Sequence, residues 1–121
     1  MSLKIYEFQP QKSIKNCAAY LVFVGDLNRA QKAVELHQGN FQPQGIESLL
    51  ITSVDAATAG QNALLAAESL GYSGVMVGLI RDQSSEISKV LNLPDYTYPI
   101  FGIALGKAAR LNKVKPRLPL E

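Results

Sequence analysis

The order of apolar and polar residues predicts strands that alternate with helices. An unbroken apolar run over residues 18–24 contains β-branched and aromatic side chains and stops at Gly25, which predicts a buried strand. Asp26 is predicted to cap a helix over residues 27–38, where apolar residues recur at helical spacing until Gly39. The first third of the chain therefore reads as one strand followed by one amphipathic helix.

A long helix is predicted over residues 44–70, with Gly71 closing it. Two stripes of side chains run along this helix, and both are expected to be buried. The smaller side chains would let another helix approach closely, either from the same chain or from a second copy. The bulky stripe contains Ile46, Leu50, Val54, Ala57 and Leu64, and the small stripe contains Ser53, Ala56, Gly60, Ala63 and Ala67.

Two further strands and a short helix complete the pattern. Strands are predicted over residues 74–80 and 99–105, and a helix begins at residue 84 or 85 and continues through Leu91. Long helices that alternate with apolar strands indicate an α/β (α+β) sandwich, in which helices pack on a small mixed sheet of about three strands.

Composition is that of one globular domain over residues 1–121, with 47% hydrophobic and 18% charged residues. Residues 1–10 are expected to be an irregular start, whose first three residues do not belong to the fold. Residues 107–121 are expected to be an extended basic tail.

The net charge of +2 and the scattered basic residues argue against nucleic-acid binding. Polar residues interrupt the most apolar helix, so no membrane span is expected, and we expect a cytoplasmic protein without a targeting segment.

The single cysteine and the single histidine exclude several kinds of site. Cys17 has no partner for an internal disulfide, fits a reducing compartment, and is predicted to be a small core residue. His37 alone cannot supply a His-pair zinc motif, and it is expected on the surface. No nucleophile elbow, P-loop or dinucleotide-binding glycine turn occurs. Any catalysis must therefore depend on a bound cofactor.

The C-terminal stretch predicts binding of an anion. Pro116 fixes its own φ and favours extended backbone at Lys115. In an extended segment residues i and i+2 point the same way, so Lys115 and Arg117 can share one anionic group. The alternative is a basic tail that only contacts solvent, as short charge clusters usually do.

Four stretches together resemble FMN-dependent nitroreductases, in the branch of oxygen-insensitive NADPH nitroreductases and NADPH-flavin oxidoreductases. The resemblance is carried by GQNALLAAESLG at 60–71, GVMVGLIR at 74–81, PIFGIALG at 99–106 and KPRLP at 115–119. It covers residues 11–121, and whole members of the family are longer at both ends. It implies FMN as the cofactor, NAD(P)H as the electron donor, and ping-pong hydride transfer to nitro compounds, quinones or free flavin.

The resemblance also implies roles for particular residues. Lys115 and Arg117 match the basic residues at the phosphate and ribityl end of FMN. Gly78 matches a position where backbone lies close to the flavin ring, although Leu79 stands where the common pattern has a second glycine, and a tightly packed strand would also explain Gly78. Gln11 matches a polar position that contacts flavin.

Arg81 follows the predicted strand over residues 74–80. It is interpreted either as a contact for substrate or for the nicotinamide phosphate, or as a solvated charge at the end of the strand.

The resemblance finally implies a homodimer formed through the helix predicted over residues 44–70. The family's arginine-and-serine phosphate motif and serine-rich loop do not occur in this sequence. Loss of two charge-assisted hydrogen bonds would lower FMN affinity by roughly 10² to 10⁴. Two alternatives therefore remain open: a truncated, non-catalytic remnant that folds and dimerises without flavin, and a small anion-binding module that uses Lys115 and Arg117 together with Lys107 and Arg110.

Overall fold

The computed structural model describes residues 2–110 and 113–118, which form five helices and a three-stranded sheet. The helices are α1 Ser2–Phe8, α2 Lys12–Asn16, α3 Asn28–Leu36, α4 Gly45–Ser69 and α5 Ser84–Leu91. The strands are β1 Ala19–Asp26, β2 Ser73–Val77 and β3 Thr97–Gly106, and a 3₁₀ turn spans Leu79–Gln83. The predicted α/β fold class is confirmed.

The sheet has the order β1-β3-β2, and the last strand along the chain lies in its centre. Strand β3 runs antiparallel to both neighbours, so that Ile103 lies opposite Leu21 on one side and Met76 on the other. A bulge interrupts β1 between Phe23 and Val24. The prediction allowed a mixed sheet, but every described strand pair is antiparallel, because β3 separates the two strands that run in the same direction.

Helices cover the sheet on both faces. Phe101 of β3 points to one face and packs over Gly60 of α4. On the other face, α1, α2, α5 and the 3₁₀ turn contribute to a buried apolar cluster, against which Tyr20 and Val22 of β1 pack. The fully buried members of that cluster are Ile5, Ile14, Val77, Ile80 and Ile87.

The small stripe of α4 faces the sheet, which corrects the prediction that another helix covers it. Ala56, Gly60 and Ala67 are buried, and the missing side chain of Gly60 leaves space for the ring of Phe101. Thr52 extends this buried face, where its Oγ1 lies 2.7 Å from the phenolic oxygen of Tyr98. Small side chains therefore let the helix axis approach β3 closely.

The bulky stripe of α4 was predicted to be buried, and this is wrong for the single chain. Ile46 is 83% exposed, and Leu50 and Val54 are each exposed by more than half. Leu64 is half-buried, since it packs near Gly74 at the edge of the sheet. Hydrophobic periodicity identified a face that favours burial, but it did not show whether the chain itself supplies the cover.

The ends of several helices differ from the predicted ones. The start of the chain is helical rather than irregular, because Ile5 of α1 is buried in the core. Asp26 accepts a hydrogen bond from the Arg29 amide at 3.2 Å, as predicted for a cap. Helix α3 ends at Leu36, before a left-handed residue at Gln38, and Gly71 adopts φ +78° after α4.

Two further predictions concern single residues. Cys17 is half-buried rather than in the core, and its thiol donates to the Ile14 carbonyl at 3.1 Å. His37 is exposed, as expected.

Tyr20 carries a buried hydroxyl without a partner. Within the described part of the chain, its phenolic oxygen is inaccessible to solvent and makes no hydrogen bond, while its ring packs against Gly102 of β3. We expect Tyr20→Phe to raise the free energy of unfolding by about 1 kcal/mol, because the buried polar group is removed at almost constant shape. Denaturant unfolding measures this change.

Tyr98→Phe is the matched control, and it should lower stability by about 1 kcal/mol because the Tyr98 hydroxyl is hydrogen-bonded to Thr52.

Burial raises the pKa of Tyr20 from its ordinary 10.0 to about 12. The unfolded chain therefore loses this proton first, and the associated stability is complete below pH 10 and is lost as the pH rises to 12. Tyr20→Phe should remove that loss; a loss of stability in Tyr20→Phe at pH 7 would contradict the assignment.

Candidate functional site

Gly78 and Arg81, two of the predicted site residues, are in direct contact. Strand β2 ends at Val77 rather than at the predicted residue 80, because the chain turns into the 3₁₀ segment Leu79–Gln83. A Cβ built on Gly78 would lie 3.1 Å from Nη2 of Arg81, so the guanidinium covers this glycine. Glycine at position 78 therefore allows the cation to lie against the backbone.

A second contact fixes the guanidinium. Arg81 Nη1 donates to the carbonyl oxygen of Ile100 in β3 at 2.8 Å. Ile80, the preceding residue, is completely buried and anchors the turn in the core. The Arg81 side chain is exposed, so its positive charge lies at a fixed position on the surface, between the end of β2 and the first half of β3. Arg81 thus lies in the turn beyond β2, and its exposed guanidinium has one backbone partner.

Gln11 lies directly before α2 and is half-buried. Its backbone takes part in the start of the helix: the carbonyl oxygen accepts from the amides of Ile14 at 3.0 Å and Lys15 at 3.2 Å. Its side-chain amide makes no capping hydrogen bond. The amide group is thus held near the protein surface with its hydrogen-bonding capacity available for a ligand.

The segment 113–118, here called the basic arm, has neither helix nor strand, and all six of its residues are exposed. Pro116 favours extended backbone, which places alternate residues on opposite sides. Such backbone would place Lys113, Lys115 and Arg117 on one side, and Val114, Pro116 and Leu118 on the other. Pro119 of the KPRLP motif lies outside the described residues.

The structure brings together only part of the predicted site. Gly78 and Arg81 touch, whereas no side-chain hydrogen bond or ion pair in segments 2–110 and 113–118 joins them to Gln11, Lys115 or Arg117. Sequence reasoning missed the Ile100 carbonyl that holds Arg81. No sequence pattern could have predicted this hydrogen bond, since every residue has a backbone carbonyl.

No helix in the described part of the chain is long and apolar enough to cross a bilayer. No group of three or more His, Cys, Asp or Glu side chains among the described residues is arranged to hold a metal ion.

A three-stranded antiparallel sheet with a long helix and several short ones makes this an α/β protein, and the guanidinium of Arg81 is held in the turn that follows β2. Comparison with known proteins then assigns the chain: residues 6–107 match the Nitroreductase family, and the chain belongs to that family. The resemblance seen in the sequence is therefore confirmed.

Relatives and solved structures agree with this assignment. The chain is 40% identical over 113 residues to an FMN reductase [NAD(P)H] of Bacillus subtilis, with 92% of this chain and 45% of that protein covered. It is 41% identical over 111 residues to an oxygen-insensitive NADPH nitroreductase of Salmonella typhimurium, with 92% and 45% covered. The structure of NfrA2 from B. megaterium matches with a TM-score of 0.90 and 34% identity, covering 98% of this chain and 50% of that one. The chain thus spans about half the length of these proteins.

Proposed function

We propose that the chain acts as an FMN-dependent NAD(P)H oxidoreductase of the nitroreductase and flavin reductase type, which transfers hydride by a ping-pong mechanism to nitro compounds, quinones or free flavin. The observation that carries this proposal is the family match over residues 6–107. It is supported by relatives named as an FMN reductase and an NADPH nitroreductase. We also propose a cytoplasmic location, which the single cysteine supports.

The residues present fit FMN in their chemistry. Lys115 and Arg117 on one side of the basic arm supply the charge-assisted donors that a phosphate monoester requires. The free amide of Gln11 can donate to or accept from the polar edge of a flavin. When bound, the isoalloxazine supplies the hydride chemistry that the side chains of this chain lack.

Gly78 and Arg81 have different roles in this proposal. The backbone at Gly78 would hold the flavin ring, and Arg81, which the Ile100 carbonyl fixes, would orient an anionic group of the substrate or of the nicotinamide cofactor. A guanidinium suits this role because it is always charged and presents several donors in a fixed plane. Its hydrogen bond to the carbonyl uses Nη1 and leaves further N–H donors for a ligand.

We propose further that the outer face of α4 forms a homodimer. This face exposes Ile46, Leu50, Ile51, Val54 and Leu65, each by at least half. Exposed apolar side chains in a continuous patch indicate an interaction surface. A helix face is self-complementary about a twofold axis, so a second copy can bury it with the same residues.

Leu50→Glu combined with Val54→Glu should convert the dimer to a monomer, because each substitution places a charge in the proposed interface. Light scattering after size-exclusion chromatography measures the mass. Leu36→Glu, at an 80% exposed leucine of α3, is the matched control and should leave the dimer intact. A wild-type chain that is monomeric at micromolar concentration would rule out this interface.

The test of the cofactor proposal is a visible absorption spectrum of the purified protein after incubation with FMN and desalting. We expect a flavin band at about one FMN per subunit, together with NADPH oxidation when an acceptor is added. A colourless protein that is still folded and dimeric would favour the non-catalytic remnant. Salt-sensitive binding of anions without flavin would favour the anion-binding module.

A further inference from the structure

A cleft of about 290 Å³ opens between α2 and the paired ends of β2 and β3. Its walls come from three parts of the chain: the end of α2 with Cys17, the first residues of β2, and the segment from Ala104 to Arg110. None of Lys115, Arg117, Gly78, Gln11 or Arg81 lines it. The cleft is therefore separate from the residues assigned to flavin.

The charged groups of the cleft are all positive. Lys107 and Arg110 line it, and no carboxylate from the described segments does. Both side chains are exposed, and neither forms an ion pair with another described residue. Two unpaired cations without a neighbouring acid produce a positive potential in a concave surface, which attracts anions.

The base of the cleft is apolar. Val75 and Ala104, which pair across β2 and β3, line it, and Val75 is 48% exposed although it belongs to the sheet. Ser13 and Asn16 add hydrogen-bond donors beside this surface. An apolar base with a few polar groups at the rim is the usual composition of a small-molecule site.

Cys17 lines the same cleft and adds no negative charge. Burial raises the pKa of its thiol above the ordinary value of 9.0, so the sulfur is protonated at neutral pH. Its S–H donates to the Ile14 carbonyl. The thiol is also the only one in the chain, which makes it a specific reporter of occupancy.

We propose that this cleft binds a compact organic anion, consisting of a carboxylate on a small apolar or aromatic body. The carboxylate lies between Lys107 and Arg110, and the apolar body lies on Val75 and Ala104. Arg110 suits a carboxylate because its planar guanidinium can donate two parallel hydrogen bonds. This site goes beyond the flavin chemistry proposed above and does not depend on it.

The test measures the rate at which iodoacetamide, a neutral reagent, alkylates Cys17 at constant pH and ionic strength. Benzoate is the probe, and it should slow alkylation about tenfold at a concentration ten times its Kd, because the bound form shields the thiol. Benzylamine has the same ring with the opposite charge and should have no effect. Inorganic phosphate should protect more weakly than benzoate, since it cannot use the apolar base.

Lys107→Ala combined with Arg110→Ala should abolish protection by benzoate without changing the circular dichroism spectrum. Lys4→Ala combined with Lys32→Ala removes the same amount of charge at exposed positions outside the cleft. In this control variant benzoate should still protect Cys17 from alkylation. The proposal is overturned if benzoate does not slow alkylation, if the Lys107 and Arg110 variant is protected equally, or if benzylamine or phosphate protects as well as benzoate. None of these readouts requires bound FMN, so failure of the flavin proposal would be recognised separately.

Discussion

Replacing Lys115 and Arg117 together by alanine is expected to weaken FMN binding by roughly 10² to 10⁴, since each charge-assisted hydrogen bond to a phosphate contributes about 1.5–3 kcal/mol. Extended backbone around Pro116 would place the two side chains on the same side of the basic arm, where they could act on one phosphate group. Fluorescence titration of FMN measures the affinity, because flavin emission changes on binding.

Two comparisons separate this effect from a loss of net charge. Lys4→Ala with Lys32→Ala removes two positive charges elsewhere and should change affinity less than about twofold. Riboflavin lacks the phosphate, so its affinity should be nearly equal in the wild type and in the Lys115 and Arg117 variant. If FMN binds the variant as tightly as the wild type, the arm does not hold the phosphate.

Gly60→Val is expected to lower the free energy of unfolding by about 3 kcal/mol, because a side chain at this position overlaps the ring of Phe101. An ideal Cβ on Gly60 would approach Phe101 Cε2 to 2.7 Å, which is closer than carbon atoms pack. Phe101 cannot easily turn away, since it stacks on Phe23 with 5.0 Å between ring centroids. The gain in helix propensity on replacing glycine is smaller, about 0.5 kcal/mol.

Gln61→Val tests whether the loss comes from steric overlap rather than from valine in a helix. Gln61 is the next residue of α4 and is exposed, so the substitution should change stability by less than about 0.5 kcal/mol. Phe101→Leu should recover part of the loss in Gly60→Val, because a shorter side chain frees space at the contact. Equal stability of Gly60→Val and the wild type in urea would show that α4 does not pack as described.

The strongest sequence patterns gave the core of the fold. Strand β1 and helix α4 were predicted within one or two residues, because an apolar run and a 25-residue helical pattern leave few alternatives. Helices α1 and α2 were not predicted. They are short, and their burial depends on single residues such as Ile5 and Ile14, which give no periodic signal.

The candidate site was less predictable than the fold. The contact of Gly78 with Arg81 depends on the 3₁₀ turn that begins at Leu79, shortly after β2 ends at Val77. The sequence pattern predicted a strand through residue 80 instead of this turn. The outer face of α4 was equally hard to predict. The spacing of Leu50 and Val54 favours burial, but it does not identify the surface that would cover them. Contacts made across the chain, or by another chain, are not encoded in local periodicity.

The central position of β3 has a consequence for biosynthesis. Strands β1 and β2 pair only with β3 in the described sheet, and β3 begins at Thr97. While residues before Thr97 leave the ribosome, neither of the earlier strands has its hydrogen-bonding partner. The sheet can therefore form only once β3 is available, and Ala19 then pairs with Leu105 across most of the sequence. A nascent chain stalled before Thr97 would present two unpaired strands, and it would be a substrate for chaperones or proteases.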